Sequence, residues 1–338
     1  MGSYEEAEEL LGDSQRIYDK IGINDVTQKA KSVEEMAFLY VRIGKYAETE
    51  EILNQIIAKK EKRYGKESHN LVNPLNQLSN LYLIKGDYTN GEKTATRARI
   101  IAQKIYGEDN LRAAESYHLL ARYNKEIGDL DRAKEWLNKV IHIQEAHLGL
   151  NHVELGHSYM ELAVVRFQQS KKNFAEAYTL IDKAKRIMHT NFDDKHPLYA
   201  EVLKAEGELL LQEKNYEKAL QVLKIANQIW LDKLERRNIN SASVYSLIGD
   251  IYAKMKKFDE AKEHYTKAEG IYRKVLSIQN PEYVKNQSKL GRMFFVKGDL
   301  KRANELLEQT TDANLKFIKT YFPALSEREK TRYWAKIR

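Results

Sequence analysis

Lys85-Gly86-Asp87-Tyr88 interrupts an apolar-periodic stretch, and near copies of it stand at Ile43-Gly44-Lys45-Tyr46, Ile127-Gly128-Asp129-Leu130 and Lys297-Gly298-Asp299-Leu300. A glycine just after such a segment adopts a left-handed conformation at no steric cost, so each copy predicts the end of one helix and the start of another. The residue that closes this turn recurs as Tyr4, Tyr46, Tyr88, Leu130, Phe174, Tyr216, Phe258 and Leu300, always 42 residues apart except for one step of 44. At the longer step Ser170 holds the glycine position and two extra residues precede Phe174, which places an insertion in a loop.

The register holds at other positions too. Three residues past each turn lie Ala7, Thr49, Gly91, Ala133, Ala177, Ala219, Ala261 and Ala303, and seven past it lie Leu11, Leu53, Ala95, Leu137, Ile181, Leu223, Tyr265 and Leu307. Upstream of the turns a small residue recurs at Ala37, Ser79, Ala121, Ala163, Gly207, Gly249 and Gly291, preceded by an apolar residue everywhere except at Glu206. Small residues facing one another let two helices approach closely, so each unit reads as a helical hairpin. A hairpin of this size cannot bury its own apolar stripe and must stack on its neighbours. The expected organisation is a half unit over 1–24, seven hairpins over 25–320 and a C-terminal capping helix over 321–338.

Composition agrees. With 4 prolines, 16 glycines and 338 residues, the chain suits many helices joined by short turns and exceeds one ordinary domain of about 100–200 residues. There is no cysteine, which removes disulfides, thiolate metal sites and a cysteine nucleophile. No apolar run approaches the roughly 18–20 residues that span a bilayer, and the first residues lack the order of a signal peptide, so the expectation is a cytoplasmic protein with no membrane role. The net charge of +7 comes from 56 basic and 49 acidic residues that interleave along helix faces. A phosphate-binding surface needs a stripe of one sign, which disfavours nucleic acid as the partner.

The column of small residue, aromatic, turn, alanine and apolar residue, with Leu78-Ser79, Tyr82, Ala219, Leu223 and Ala226 as examples, resembles the tetratricopeptide repeat. The 42-residue unit, with linkers such as Tyr64-Gly65-Lys66-Glu67-Ser68-His69 and Leu148-Gly149-Leu150-Asn151-His152, looks like the kinesin-light-chain variety. The resemblance implies an all-α, right-handed solenoid whose first helices line a concave face that holds a protein or peptide. Phe322-Pro323-Ala324-Leu325-Ser326-Glu327-Arg328-Glu329-Lys330, with Tyr333-Trp334, is similar to the segment that joins such repeats to a caspase-like CHAT protease domain in bacterial proteins. Ser326 and Glu329 also form a capping box that would start a final helix.

Counting outward from the small residue on each first helix gives the expected groove positions. They are Glu34, Phe38 and Arg42, then Asn76, Asn80 and Leu83, then His118, Arg122 and Lys125, then His157, Met160 and Phe167. Later repeats contribute Lys204, Glu208 and Leu211, then Ser246 and Asp250, then Ser288, Arg292 and Phe295. Asn76 and Asn80 are suited to clamp a peptide backbone, since an amide both donates and accepts. Arg122 and Lys125 are suited to receive an acidic side chain or a terminal carboxylate. The lysine and second asparagine of the chaperone-tail clamp are missing, because Asn76 and Leu119 stand in their places.

Nothing points to chemistry. His142, His147, His152 and His157 are five apart, do not share a helix face and are interrupted by Gly149, unlike the i, i+4 spacing of helical zinc sites. No phosphate loop, nucleophile elbow or metalloprotease motif is present. The expectation is a chain that is not an enzyme and carries no metal or cofactor. It would hold a polypeptide, with an acidic segment near the third repeat, and regulate a downstream CHAT domain. Alternatives are a stand-alone adaptor or peptide-sensing regulator, and an RNA- or nucleoprotein-associated factor.

Overall fold

The computed structural model describes residues 46–170, 173–233, 238–276 and 280–321, together with positions 13, 16, 330 and 331. Among the described residues there are thirteen α-helices, one short 3-10 helix and no strand. None of these helices is long and apolar enough to cross a membrane. The turn at Gly44, the groove positions Glu34, Phe38 and Arg42, the extra residues 171–172, the N-terminal half unit and the tail motif of Phe322 to Trp334 lie outside the described residues, apart from Asp13, Arg16, Lys330 and Thr331.

The chain divides into two compact units, residues 1–123 and 124–338. In the first, α1 (Tyr46–Tyr64) is followed by the 3-10 turn His69–Leu71, α2 (Val72–Lys85), α3 (Tyr88–Tyr106) and most of α4 (Leu111–Glu126). In the second, α5 (Leu130–Leu148) precedes four hairpins. These are α6 (Val153–Gln169) with α7 (Phe174–Asn191), α8 (Pro197–Gln212) with α9 (Tyr216–Lys233), α10 (Ile239–Lys254) with α11 (Phe258–Val275), and α12 (Pro281–Val296) with α13 (Leu300–Tyr321).

The small-residue register forms the seams of the hairpins. Thr49, Ala133, Ala177, Ala219, Ala261 and Ala303 are all buried, as are Leu53, Leu137, Ile181, Leu223 and Tyr265 one turn later. On the facing helices Gly207 lies against Leu223, and Gly249 lies against the ring of Tyr265. In the first unit the Ser79 hydroxyl donates to the carbonyl of Gly91 at 2.9 Å, and Tyr123 donates its hydroxyl to the carbonyl of Ser79. Glu206, the charged exception in the apolar column, is buried and accepts a hydrogen bond from Lys185 of α7 at 2.7 Å.

The turns behave as the glycines suggest and then go further. Gly86, Gly128 and Gly298 have φ of 76°, 83° and 80°, and the Gly86 N–H reaches back to Leu83. Three repeats lack the glycine; in two of them Lys214 (φ 65°) and Lys256 (φ 59°) adopt the same left-handed geometry and donate to Leu211 and Ala253. In these two repeats the packing of the hairpin holds the turn with a lysine in the glycine's place, whereas Ser170, ahead of the insertion, is extended. Removing the Cβ clash of a side chain there outweighs the extra chain freedom of glycine, so Lys256→Gly is expected to stabilise the second unit by about 0.5–1 kcal/mol in urea unfolding. No change, or a loss, would show that the lysine stem contributes packing that offsets its backbone strain.

A second periodic feature stands at the start of the first helix of each hairpin, or, for Ser68, of the 3-10 turn that leads into it. Ser68, Asn110, His152, His196, Asn238 and Asn280 each accept a hydrogen bond from the backbone N–H two residues ahead, at 2.8–3.3 Å. These side chains satisfy donors that a helix N-terminus otherwise leaves orphaned. They are spaced 42, 42, 44, 42 and 42, the same rhythm as the turns.

Candidate functional site

The inner helices α6, α8, α10 and α12 of the second unit, with the last residues of α4, surround a cavity of about 560 Å³. That size is typical of a site enclosing a ligand or a few residues of a chain. Seven expected groove positions of the later repeats line it: Met160, Phe167, Lys204, Glu208, Leu211, Ser246 and Asp250. Lys125, at its edge, lines it as well and sits 3.9 Å from Glu126. The α12 positions differ from expectation. Arg292 and Phe295 are exposed and outside the cavity lining, whereas Glu282, Lys285 and Lys289, on the earlier turns of that helix, face into it.

Charged and apolar groups both occur along the cavity, with Lys125, Glu126 and Gln212 in last turns and Ile239 in a first turn. Phe167 and Leu211, in the last turns of α6 and α8, give one end an apolar floor. Glu201 and Glu282, in the early turns of α8 and α12, give the other end carboxylates. Between them Lys204 pairs with Glu208 at 3.3 Å, and Lys289 donates to Asp250 at 2.7 Å and to Ser246 at 3.0 Å. Asp250 also accepts from the Tyr265 hydroxyl at 2.8 Å, and this carboxylate adds to burial in pushing the Tyr265 phenol well above its ordinary range.

The lysines report the local field. Burial alone would lower Lys204, but Glu208, Glu282 and Glu201 together hold it above the usual lysine value. Lys285 is raised as well, first by Glu282 and further by Glu126, Asp250 and Glu208, against the opposing effect of burial. Lys289 is lowered, because burial and the neighbouring Lys285 outweigh the pull of Asp250. A pair of raised lysines in a partly dehydrated cleft marks a negative potential.

The first-unit candidates have other roles. Asn76 is buried, donates to Glu115 at 2.9 Å and accepts from Ser116 at 2.8 Å. Its amide ties α2 to α4, which corrects the expectation that it clamps a ligand. The reason is angular: three residues along a helix is 300°, so Asn76 points within about 60° of the buried direction of Ser79. Asn80 accepts from the Arg122 guanidinium at 2.9 Å, one repeat away, so that arginine is engaged by a neighbouring helix. His118 is half-buried on α4. Of the histidines spaced by five, His142 and His147 lie on α5, His157 on α6, and His152 is an N-cap.

Comparison with known proteins accords with this geometry. The tetratricopeptide repeat family model matches residues 71–146 and 240–316. A clustered mitochondria protein homolog of Candida albicans is 26% identical over 196 residues, covering 58% of this chain and 14% of that protein. The chain spans under a fifth of the length of the curated relatives it matches. Among solved structures, a putative kinesin light chain with TPR-like repeats from Podosopora anserina is 24% identical over 60% of this chain and 94% of its own, with a TM-score of 0.44. A Rap protein complexed with Competence and Sporulation Factor is 14% identical with a TM-score of 0.62, covering 86% of this chain and 78% of its own. Residues 71–146 and 240–316 match tetratricopeptide repeats, and the 42-residue register and the seams between facing helices continue through the segment between them.

Proposed function

We propose that the cavity of the second unit clasps an extended stretch of another polypeptide, so that the chain serves as a protein-interaction scaffold. The observation that carries this reading is the 560 Å³ cleft itself, lined by the inner helices of four successive repeats with both apolar and hydrogen-bonding groups. An extended chain has backbone donors and acceptors that need partners, and Asn240, Ser243, Gln168 and Gln212 offer both kinds on the lining. A Rap protein of similar fold is complexed with Competence and Sporulation Factor, which supports a ligand-holding role for such an array.

The test is photo-crosslinking. A benzoylphenylalanine placed at Ser243, on the cavity lining, is expected to form polypeptide adducts in an extract of the source cells, while the same residue at Lys301, exposed on α13, forms none above background. Equal labelling at both sites, or adducts at Lys301 alone, would remove the cleft as the binding face. Coupling to a caspase-like domain is the further reading suggested by Phe322 to Trp334. The coding sequence past Arg338 tests it: a domain with a histidine and cysteine dyad supports the link, and a stop codon removes it.

A further inference from the structure

The clasped segment can be given a chemistry, and it is the opposite of the one expected from Arg122 and Lys125. We propose that the second-unit cleft takes a basic segment of a protein, with a lysine or arginine directed at Glu201 and Glu282 and an apolar residue directed at Phe167 and Leu211. This rests on the reading of the cleft as a polypeptide site; the charges decide only what kind of polypeptide enters.

The chain as a whole is basic, at +7, yet its cleft is not. Six carboxylates line it, those of Glu126, Glu161, Glu201, Glu208, Asp250 and Glu282, against four ammonium groups, Lys125, Lys204, Lys285 and Lys289. Three of those lysines already lean on carboxylates of the same lining: Lys204 on Glu208, Lys289 on Asp250 and Lys125 on Glu126. An incoming carboxylate would therefore compete with the protein's own acids for each cation and face the surplus negative charge besides. An incoming cation shares Glu201 with His157, which lies 3.9 Å from it, but enters a lining in which carboxylates outnumber ammonium groups by two. Glu282 and its neighbours raise Lys204 and Lys285 against the cost of burial, whereas burial and Lys285 lower Lys289, so the field favours a cation on the side of Glu201 and Glu282. A phosphate backbone would be repelled for the same reason that an acidic peptide is.

Position adds direction to charge. Glu201 and Glu282 belong to early turns of their helices, and Phe167 and Leu211 to last turns, so the basic and apolar anchors of the ligand are held at opposite ends of the inner helices. Two carboxylates toward one end and two apolar side chains toward the other favour one orientation of an extended chain.

Selection from a phage-displayed library of random dodecapeptides on the immobilised full chain tests this. Lysine and arginine are expected to be enriched over the starting library, and synthesised winners should lose tenfold or more in affinity, read by fluorescence anisotropy, on Glu201→Lys/Glu282→Lys. The milder Glu201→Gln/Glu282→Gln form should lose affinity in the same direction, which keeps the test open if the reversed form folds poorly. Enrichment of acidic or neutral peptides, with binding lost on Leu211→Glu, would overturn the basic assignment while leaving the cleft as a polypeptide site. Basic peptides that bind the charge variants undiminished would overturn it as well. No enrichment over the bare support would remove both readings.

Discussion

Trp230→Ala is expected to destabilise the second unit by about 3–5 kcal/mol, the range for deleting a large buried aromatic. Trp230 is fully buried on α9 and shares a core with Leu203 and Leu210 of α8, Leu223 of α9, and Val244 and Ile248 of α10. Its indole N–H donates to the carbonyl of Pro197 at 3.2 Å, the first residue of α8, so truncation both opens a cavity and removes a hydrogen bond between α9 and the start of α8. Because repeats contact mainly their neighbours, the damage should be local. Hydrogen exchange should accelerate first in α8, α9 and α10, with α3 protected as before. A loss below about 1 kcal/mol would mean that Trp230 does not tie these three helices together.

The second large effect comes from a pair of glycines that should respond to the same substitution with opposite signs. Helix preference alone favours alanine over an interior glycine by about 1 kcal/mol. Gly270, within α11, has nothing within 4 Å of an added Cβ, so Gly270→Ala should gain nearly that amount. At Gly207 the added Cβ would stand 2.5 Å from Cδ2 and 2.6 Å from Cγ of Leu223, which is itself fully buried. Gly207→Ala should therefore lose about 1–3 kcal/mol, the usual cost of overpacking, despite its better helix preference. Urea unfolding of the two variants checks this, and a gain at both sites would show that α8 and α9 are not in close contact at the small-residue seam.

The hairpin register was legible because close helix packing admits few residue types. Gly207 facing Leu223 and Gly249 facing Tyr265 leave no room for a side chain, and such intolerance shows as a column of Ala, Ser and Gly. The caps were harder to see. Ser68, Asn110, His152 and Asn280 do one physical job with three different side chains, and histidine is not a usual cap residue. Lys214 and Lys256 escaped notice for a related reason, since nothing about lysine announces a left-handed turn.

The cleft was only half legible. Counting from the small residue found Met160, Lys204 and Asp250, because stacked repeats present equivalent positions side by side. It misjudged Asn76, whose 60° offset from the buried direction turns it toward a neighbouring helix. It also passed over the charge balance. Read locally, Lys204 and Glu208 are an ordinary helix-face pair one turn apart; only the stacking of repeats gathers Glu201, Asp250 and Glu282 around the same space.

The evenly spaced caps bear on how such an array changes length. Asn238 and Asn280 occupy equivalent places, each accepting from the second residue of the helix that follows. Excising residues 239–280 would join Asn238 directly to Pro281 and Glu282, restoring an Asn-Pro-Glu helix start identical to the one lost. The cut needs no new turn and no new cap, and it removes one whole hairpin. Segments cut from cap to cap are therefore interchangeable parts, and recombination between them can lengthen or shorten the groove while every local folding instruction stays intact.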